Sequence, residues 1–309
     1  MKTTSFILLA ASLWASTAHA ETIGISISKL DTFKTVLLQG MLEHSKSVPG
    51  LRIVNETADG VKEREIEILK KFAADKVDAI IVAPSDGDLG PQMTKIAEDA
   101  GVPLVYVNNF PSNQSELPAT QALVASNEKE SGTLQAREVC RRLNGKGDVV
   151  VLMGQLFHAA ARARTEDIDE VFASEACKGM RIVERQAAYW STQFGEAQMQ
   201  EWLRAGVRFD AVIANNDDMA LGAIKAIKAS GRSLDGIVVA GVDATSDALA
   251  AMQSGDMQVT VLQSAAGQGA MAIDVALKLA KDEKLSRENY VPFELVTPEN
   301  LQSYLPKGQ

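Results

Sequence analysis

Amide, carboxylate and hydroxyl side chains recur along the 309 residues, each group set directly after a short apolar run. In chain order they are Ser28 and Asp31, Ser85 and Asp86, Asn108 and Asn109, Asn127, Asn215 to Asp217, Asp243, and Gln263 with Ser264. Amides donate and accept hydrogen bonds and carboxylates accept strongly, so the set suits a ligand made mostly of hydroxyls. Any one of these residues is read equally well as the N-cap of a following helix. It is their recurrence that favours a polar ligand. Catalytic signatures are missing: the sequence holds no G-x-S-x-G, no H-E-x-x-H and no metal-spaced cluster of Cys and His. His44 and His158 stand isolated, and no G-x-G-x-x-G follows the first strand, which removes a dinucleotide site. The pair Asp217-Asp218 reads as a helix start plus one solvated charge. The expectation is a binding protein without cofactor or metal, and not an enzyme.

Placing such residues along one edge requires elements in a definite order, and the apolar periodicity supplies it. Strands are expected over 22–28, 51–55, 78–83 and 103–107, alternating with helices over 33–47, 61–75 and 89–100. Val36, Leu37, Gly40 and Met41 should share one face of the first helix. After a turn-rich stretch at 110–119 the pattern restarts with a strand over 121–125 and a helix over 128–143. Further strands are expected at 149–153, 181–187, 211–214, 238–241 and 259–262, with helices between. The clearest helix starts at Asp217, with Met219, Leu221, Ile224 and Ile227 at helical spacing and Gly231 to stop it. Alternation of this kind builds βαβ units around parallel sheets buried on both faces. The fold class is therefore α/β, in two doubly wound halves, with no repeat short enough for a solenoid. In such sheets ligands bind beyond the carboxyl ends of the strands, which is where the polar residues fall.

Residues 1–20 carry Lys2, an apolar run from Phe6 to Leu13 and the small-x-small site Ala18-His19-Ala20, the order of a cleavable export signal. The run is too short to anchor in a bilayer. A mature chain starting near Glu21, in the periplasm, is expected. Composition is ordinary for a globular protein, 46% hydrophobic and 23% charged. The length suits two domains of roughly 100–150 residues each. A net charge of −9 argues against nucleic acid, because nothing is left to neutralise phosphates. Cys140 and Cys177 sit in helical contexts, and the sequence leaves open whether they bridge or stay as buried thiols.

Several longer stretches carry a resemblance: ANNDDMALGAIKAIKASGR, VVAGVDAT, VTVLQSAAGQG, and AARART after the strand VVVLMG. Over nearly the whole mature length the chain resembles the ribose/galactose-type periplasmic binding proteins that feed ABC sugar importers. The resemblance implies two Rossmann-like lobes, joined by three hinge crossings near Ser126, Gln263 and Val291. The first lobe would hold residues 21–126 plus 264–291, and the second 127–263 plus 292–309. A ligand would lie between them. Phe33 would stack on it from the first lobe and Trp190 from the second, with Arg164, or Arg162 as second choice, donating to its oxygens. Asn216, Asp243 and Gln263 match amide and carboxylate contacts of the family, while Asn108 and Asn109 occupy its Asp-Arg position.

Departures from the ribose pattern bear on the ligand. Lys34 replaces a second stacking Phe, Asn108 and Asn109 replace the Asp-Arg pair at the anomeric region, and Asp31 opens a segment usually Asn-Pro-Phe-Phe. A cyclitol has neither ring oxygen nor anomeric centre, so losing that arginine costs it less. The segments PLVYVN and VTVLQSAAGQG look more like the inositol and rhizopine-binding branch. An inositol-like cyclitol or its amino derivative is expected first, a monosaccharide such as ribose or galactose second. The implied partners are that small polyol and an ABC permease of the inner membrane, for a monomeric binding protein. A sensory role beside a membrane receptor would use the same lobes. A sugar-responsive repressor would need a basic N-terminal DNA-binding unit, where this chain has its export signal.

Overall fold

The computed structural model describes residues 21–305, so the expected export signal lies outside the described residues. The chain opens with β1 (Thr22–Ile27), α1 (Thr32–Ser45), β2 (Arg52–Thr57), α2 (Lys62–Ala74), β3 (Ala79–Ala83), α3 (Gly90–Ala100) and β4 (Leu104–Val107). It continues through β5 (Gln121–Ala125), α4 (Glu128–Arg142), β6 (Lys146–Met153), α5 (Ala159–Phe172), β7 (Gly179–Ala187), α6 (Thr192–Arg204) and β8 (Ala211–Ala214). The remainder is α7 (Asp217–Ala229), β9 (Val238–Ala240), α8 (Ser246–Gln253), β10 (Thr260–Leu262), α9 (Ala265–Ala280), β11 (Glu288–Tyr290) and β12 (Glu294–Val296).

Two parallel sheets organise the lobes. The first has strand order β11-β5-β4-β3-β1-β2, the second β7-β6-β8-β9. Strands such as β3 (AIIVA) are buried along their whole length, as a sheet covered on both faces requires. On one face of the first sheet, Leu37 and Met41 of α1 pack with Ala272, Ile273 and Ala276 of α9; on the other, Phe72 of α2 and Met93 of α3 fill the core. In the second sheet α4 and α5 supply one core, through Val139 and Ile168, and α6 and α7 the other, through Trp202 and Ile227. Helix ends follow local chemistry. Asp31 caps α1 by accepting from Lys34 N, and Gly101 takes the left-handed turn that closes α3.

Three differences from the sequence reading have physical reasons. Val36 points outward, 44% exposed, because α9 covers only the Leu37–Met41 stripe of α1. The segment after Gln258 is not a further strand of the second sheet. It runs beside β9 through a parallel bridge, Val259 to Ala240, with Gly241 N donating to the Val259 carbonyl and Asp243 N to the Val261 carbonyl, and then β10 pairs antiparallel with β12. β11, unread in the sequence, adds a parallel strand to the first sheet beside β5. The cysteines are bridged, with Cα atoms 5.9 Å apart, tying the end of α4 to the turn before β7.

Candidate functional site

A cleft of about 810 Å³ opens between the carboxyl ends of the two sheets and is lined from both. From the first come Ser28, Asp31, Phe33, Lys34, Lys62 and Asn108; from the second Glu128, His158, Arg164, Trp190, Asn216, Asp218 and Asp243. Gln263, between β10 and α9, completes the floor.

The aromatic walls are held differently. Phe33, in the first turn of α1, leans on the core of the first lobe while still lining the cleft, so the core and ligand readings of this residue both hold. Trp190 sits in a turn where Tyr189 and Trp190 both have left-handed φ, 55° and 62°, a conformation costly for bulky residues. Gly154, at the end of β6, leaves room for the indole; a Cβ there would overlap the Trp190 ring. His158 meets the same ring edge-on, with centroids 5.4 Å apart and planes at 73°.

A buried ion network forms the floor. Arg164 donates through Nε to Glu128 at 3.0 Å, through Nη1 to the Asn215 carbonyl at 2.7 Å and through Nη2 to Gln263 Oε1 at 3.1 Å, with a longer Nη2 contact to Glu128. Gln263 Nε2 donates back to Glu128 at 3.2 Å. Four of the five guanidinium N–H groups are thereby engaged within the protein, leaving one on Nη1. A buried arginine with a carboxylate and carbonyl partner is satisfied, so its orientation is set before any ligand arrives.

Carboxylates crowd the opposite side. Burial raises Asp243 well above the usual carboxylate range; the nearby Arg164 opposes the rise, while Asp217, Asp218 and Asp31 add to it. Asp218 is raised by burial and by the charges of Asp31 and Asp247, although Thr32 Oγ1 donates to it at 3.0 Å from across the cleft. No cation forms an ion pair with either Asp218 or Asp243 among the described residues. Lys34 stands 3.7 Å from Asp31, and Lys62 is paired with Asp86 at 2.5 Å.

The expected site residues divide clearly. Asp31, Phe33, Lys34, Asn108, Arg164, Trp190, Asn216, Asp243 and Gln263 line one cleft. Asn216 also caps α7, its Oδ1 accepting from Met219 N, so cap and cleft readings coincide there. Asn109 is turned away: it is buried and donates to the Pro84 carbonyl, closing the β3 turn. Arg162 is exposed and donates to the Leu156 carbonyl; two residues before Arg164, it lies on the opposite side of α5 from the buried face that carries Arg164. Asp218 is no solvated charge but part of the cleft, while its neighbour Asp217 is buried and accepts from Thr245 N and Thr260 Oγ1.

His158, read as isolated, and Glu128, unread, also line the cleft. Glu128 follows Asn127 directly after β5, and this strand-end position is the signal that could have found it. His158 had none, since its place depends on how the β6–α5 loop folds back onto Trp190.

Comparison with known proteins agrees with this architecture. A periplasmic binding protein domain model matches residues 23–284. A Rhizobium meliloti protein named "Putative rhizopine-binding protein" is 51% identical over 302 residues, covering 97% of this chain and 98% of that one. The solved structure of an ABC transporter solute binding protein from Bacillus halodurans with bound myo-inositol superposes with a TM-score of 0.87 at 36% identity, over 94% of this chain and 98% of that one. A periplasmic solute binding protein from Actinobacillus succinogenes with bound D-allose gives 0.85 at 26% identity, over 92% and 100%. With its two parallel-sheet lobes and the cleft between their carboxyl edges, the chain belongs to the periplasmic binding protein family.

Proposed function

We propose that the chain is the periplasmic solute-binding component of an ABC importer, non-catalytic and monomeric, which closes on an inositol-like cyclitol. One observation carries the reading: a cleft fed by two separate sheets presents an aromatic ring from each side, Phe33 and Trp190, within a rim of amides, carboxylates and cations. Such rings cover the weakly apolar C–H faces of a polyol, and the rim serves its hydroxyls. The relative from Rhizobium meliloti and the myo-inositol-bound structure from Bacillus halodurans support a cyclitol over an aldose. Closure would take place about the crossings near Ser126, Gln263 and Val291, between a lobe of residues 21–126 plus 264–291 and one of 127–263 plus 292–309. Ligand contacts drawn from both lobes favour the closed state, which a permease can recognise.

Within the cyclitols, the carboxylates Asp218 and Asp243 favour an amino-substituted member, whose ammonium would give both the ion-pair partner that neither has among the described residues. Calorimetric titration with myo-inositol, scyllo-inositol, an amino-inositol, ribose and galactose tests this order. Micromolar heat with ribose and none with any cyclitol would overturn it. Trp190→Ala and Asp243→Ala should each abolish measurable binding while leaving a folded protein by circular dichroism.

A further inference from the structure

Glu65 lies on the stripe of α2 that carries Leu69 and Phe72 into the core, and it is fully buried there. Ile23, Ile25 and Ile27 of β1 face α1 and α9, so Gly24, Ser26 and Ser28 face α2. Phe72 covers Gly24, where a Cβ would come within 2.8 Å of its ring. Seven residues back along α2 is about 10 Å toward the carboxyl edge, or about three residues along β1. Glu65 therefore stands over Ser26 and Ser28. Its Oε2 accepts from Ser85 N at 3.0 Å, just beyond β3. Its Oε1 is buried without a hydrogen-bond partner, as are Ser26 Oγ and Ser28 Oγ. Ser28 and Ser85 line the cleft, so the carboxyl sits directly behind the first-lobe wall.

Closing the Ser85 turn takes one acceptor, which an uncharged glutamine would supply. The turn does not account for the second oxygen or for the charge. Burial raises the Glu65 carboxyl, while hydrogen bonding from Ser85 and the positive charges of Lys34 and Lys62 oppose the rise. Lys62 is spent on Asp86 at 2.5 Å. Lys34 has a largely enclosed side chain, 14% exposed, yet stands 3.7 Å from an Asp31 carboxylate that is half open to solvent. A cation so enclosed needs a negative charge nearby, and charges act over longer distances where water is excluded. We infer that Glu65 is a positioning residue: from behind the cleft wall it supplies the counter-charge that keeps the Lys34 ammonium in place as a charged donor to the ligand. The inference rests on the solute-binding reading above and deepens it. Glu65 touches no ligand. It decides how positive the first-lobe wall is, and so how well that wall tolerates an ammonium on the guest.

The test is a double-mutant cycle read by calorimetry, with myo-inositol and an amino-inositol, on wild type, Glu65→Gln, Lys34→Met and the pair. Glu65→Gln retains the acceptor for Ser85 N and should melt no lower than wild type. It should nevertheless lose about 5–10-fold in affinity for myo-inositol, and more for the amino-inositol. In the Lys34→Met background the same change should cost less than about twofold with either. Wild-type affinity in Glu65→Gln, or equal losses in both backgrounds, would overturn the inference. A ligand-free measurement separates it from the solute reading. Carbon-13 NMR of labelled glutamate, with Glu65 assigned by its loss in Glu65→Gln, should show its carboxyl titrating above the ordinary range, and higher still in Lys34→Met. A midpoint that Lys34→Met leaves unmoved overturns the role of Glu65, whatever the polyols do. Should every polyol fail to bind while that midpoint moves, the solute reading falls and the coupling of Glu65 to Lys34 stands.

Discussion

Asp243 shows how a single residue can trade stability for binding. It follows β9 at the carboxyl edge of the second sheet, with φ at 121°, and it is half-buried in the cleft wall near Asp217, Asp218 and Asp31. Arg164 opposes this crowding, and its own donors are largely spent on Glu128, Asn215 and Gln263. Without a ligand the Asp243 charge is resisted by burial and by three neighbouring carboxylates more than Arg164 relieves it, a cost that a bound donor would reduce. Asp243→Asn keeps the shape, tolerates the positive φ and removes the charge. The ligand-free variant should melt a few degrees above wild type at pH 7.5, while its affinity for the cyclitol falls at least 10-fold by calorimetry. An unchanged melting point would mean that the carboxyl is already protonated or solvated there. Gly154 illustrates the converse, a residue that touches no ligand yet decides where one can stack. Gly154→Ala should lower affinity by displacing the Trp190 indole, and tryptophan fluorescence on titration should lose its ligand response.

Among the elements, the bridge between Cys140 and Cys177 clamps the C-terminal end of α4 to the short turn that leads into β7. It closes a loop with a sequence separation of 37, for which chain-entropy reasoning gives about 3–4 kcal/mol. For a protein of this size, that corresponds to a fall in melting temperature of roughly 10 °C in Cys140→Ser with Cys177→Ser. Binding at 25 °C should persist, because the bridge lies in the core of α4, α5 and β7, away from the cleft. Neither pairing nor freedom could be chosen from the sequence, since Cα separation is a tertiary quantity. Most of the α/β order was legible for the opposite reason. β5 and β8 have the bounds that apolar runs over 121–125 and 211–214 announce, because parallel strands buried on both faces need uninterrupted hydrophobic residues. β11 and β12 are three residues each and half exposed, so they carry no periodicity and exist only through pairing with β5 and β10. The same divide runs through the site. Asn108, Asn216 and Asp243 follow strands and could be read from that position, whereas Phe33 and Trp190 needed the family resemblance. His158 and Asp218 were misread because loop geometry and a contact from the other lobe, respectively, turn them inward.

At the scale of the whole molecule, two solvent-accessible contacts reach across the cleft, and the balance between open and closed forms should respond to them. Thr32 Oγ1, at the start of α1, donates to Asp218 at the start of α7 over 3.0 Å, and Lys62 Nζ stands 5.7 Å from the centre of the Phe157 ring. Both contacts join first-sheet elements to second-sheet elements, and both are partly open to solvent. A hydrogen bond to a charged acceptor and an exposed cation–π pair together contribute about 2 kcal/mol before screening, which is more than a tenfold bias toward closure. Because apparent affinity is the intrinsic value scaled by the competent fraction, that bias enters binding directly. Thr32→Val combined with Phe157→Ala should enlarge the radius of gyration of the ligand-free protein in small-angle scattering, leave that of the saturated protein unchanged, and weaken apparent affinity up to about tenfold. Equal enlargement of both forms would point to a damaged fold and not a shifted hinge. Lowering the pH should act on the same balance in a chain that carries −9 overall. Asp218 and Asp243 sit above the usual range, and Asp167 is pushed up to about 6 by burial. A carboxyl raised on folding gives stability that is complete below its unfolded value near 4 and is lost as pH rises through its folded value. His158, held at about 3 by burial, works the other way below about 6.5, but with Asp217 also pushed up to about 7 by burial the carboxyls prevail, so the ligand-free protein should melt higher at pH 5 than at pH 7.5. A saturating ammonium-bearing cyclitol should narrow that gap, since it stabilises the ionised carboxylates, whereas a neutral one should not.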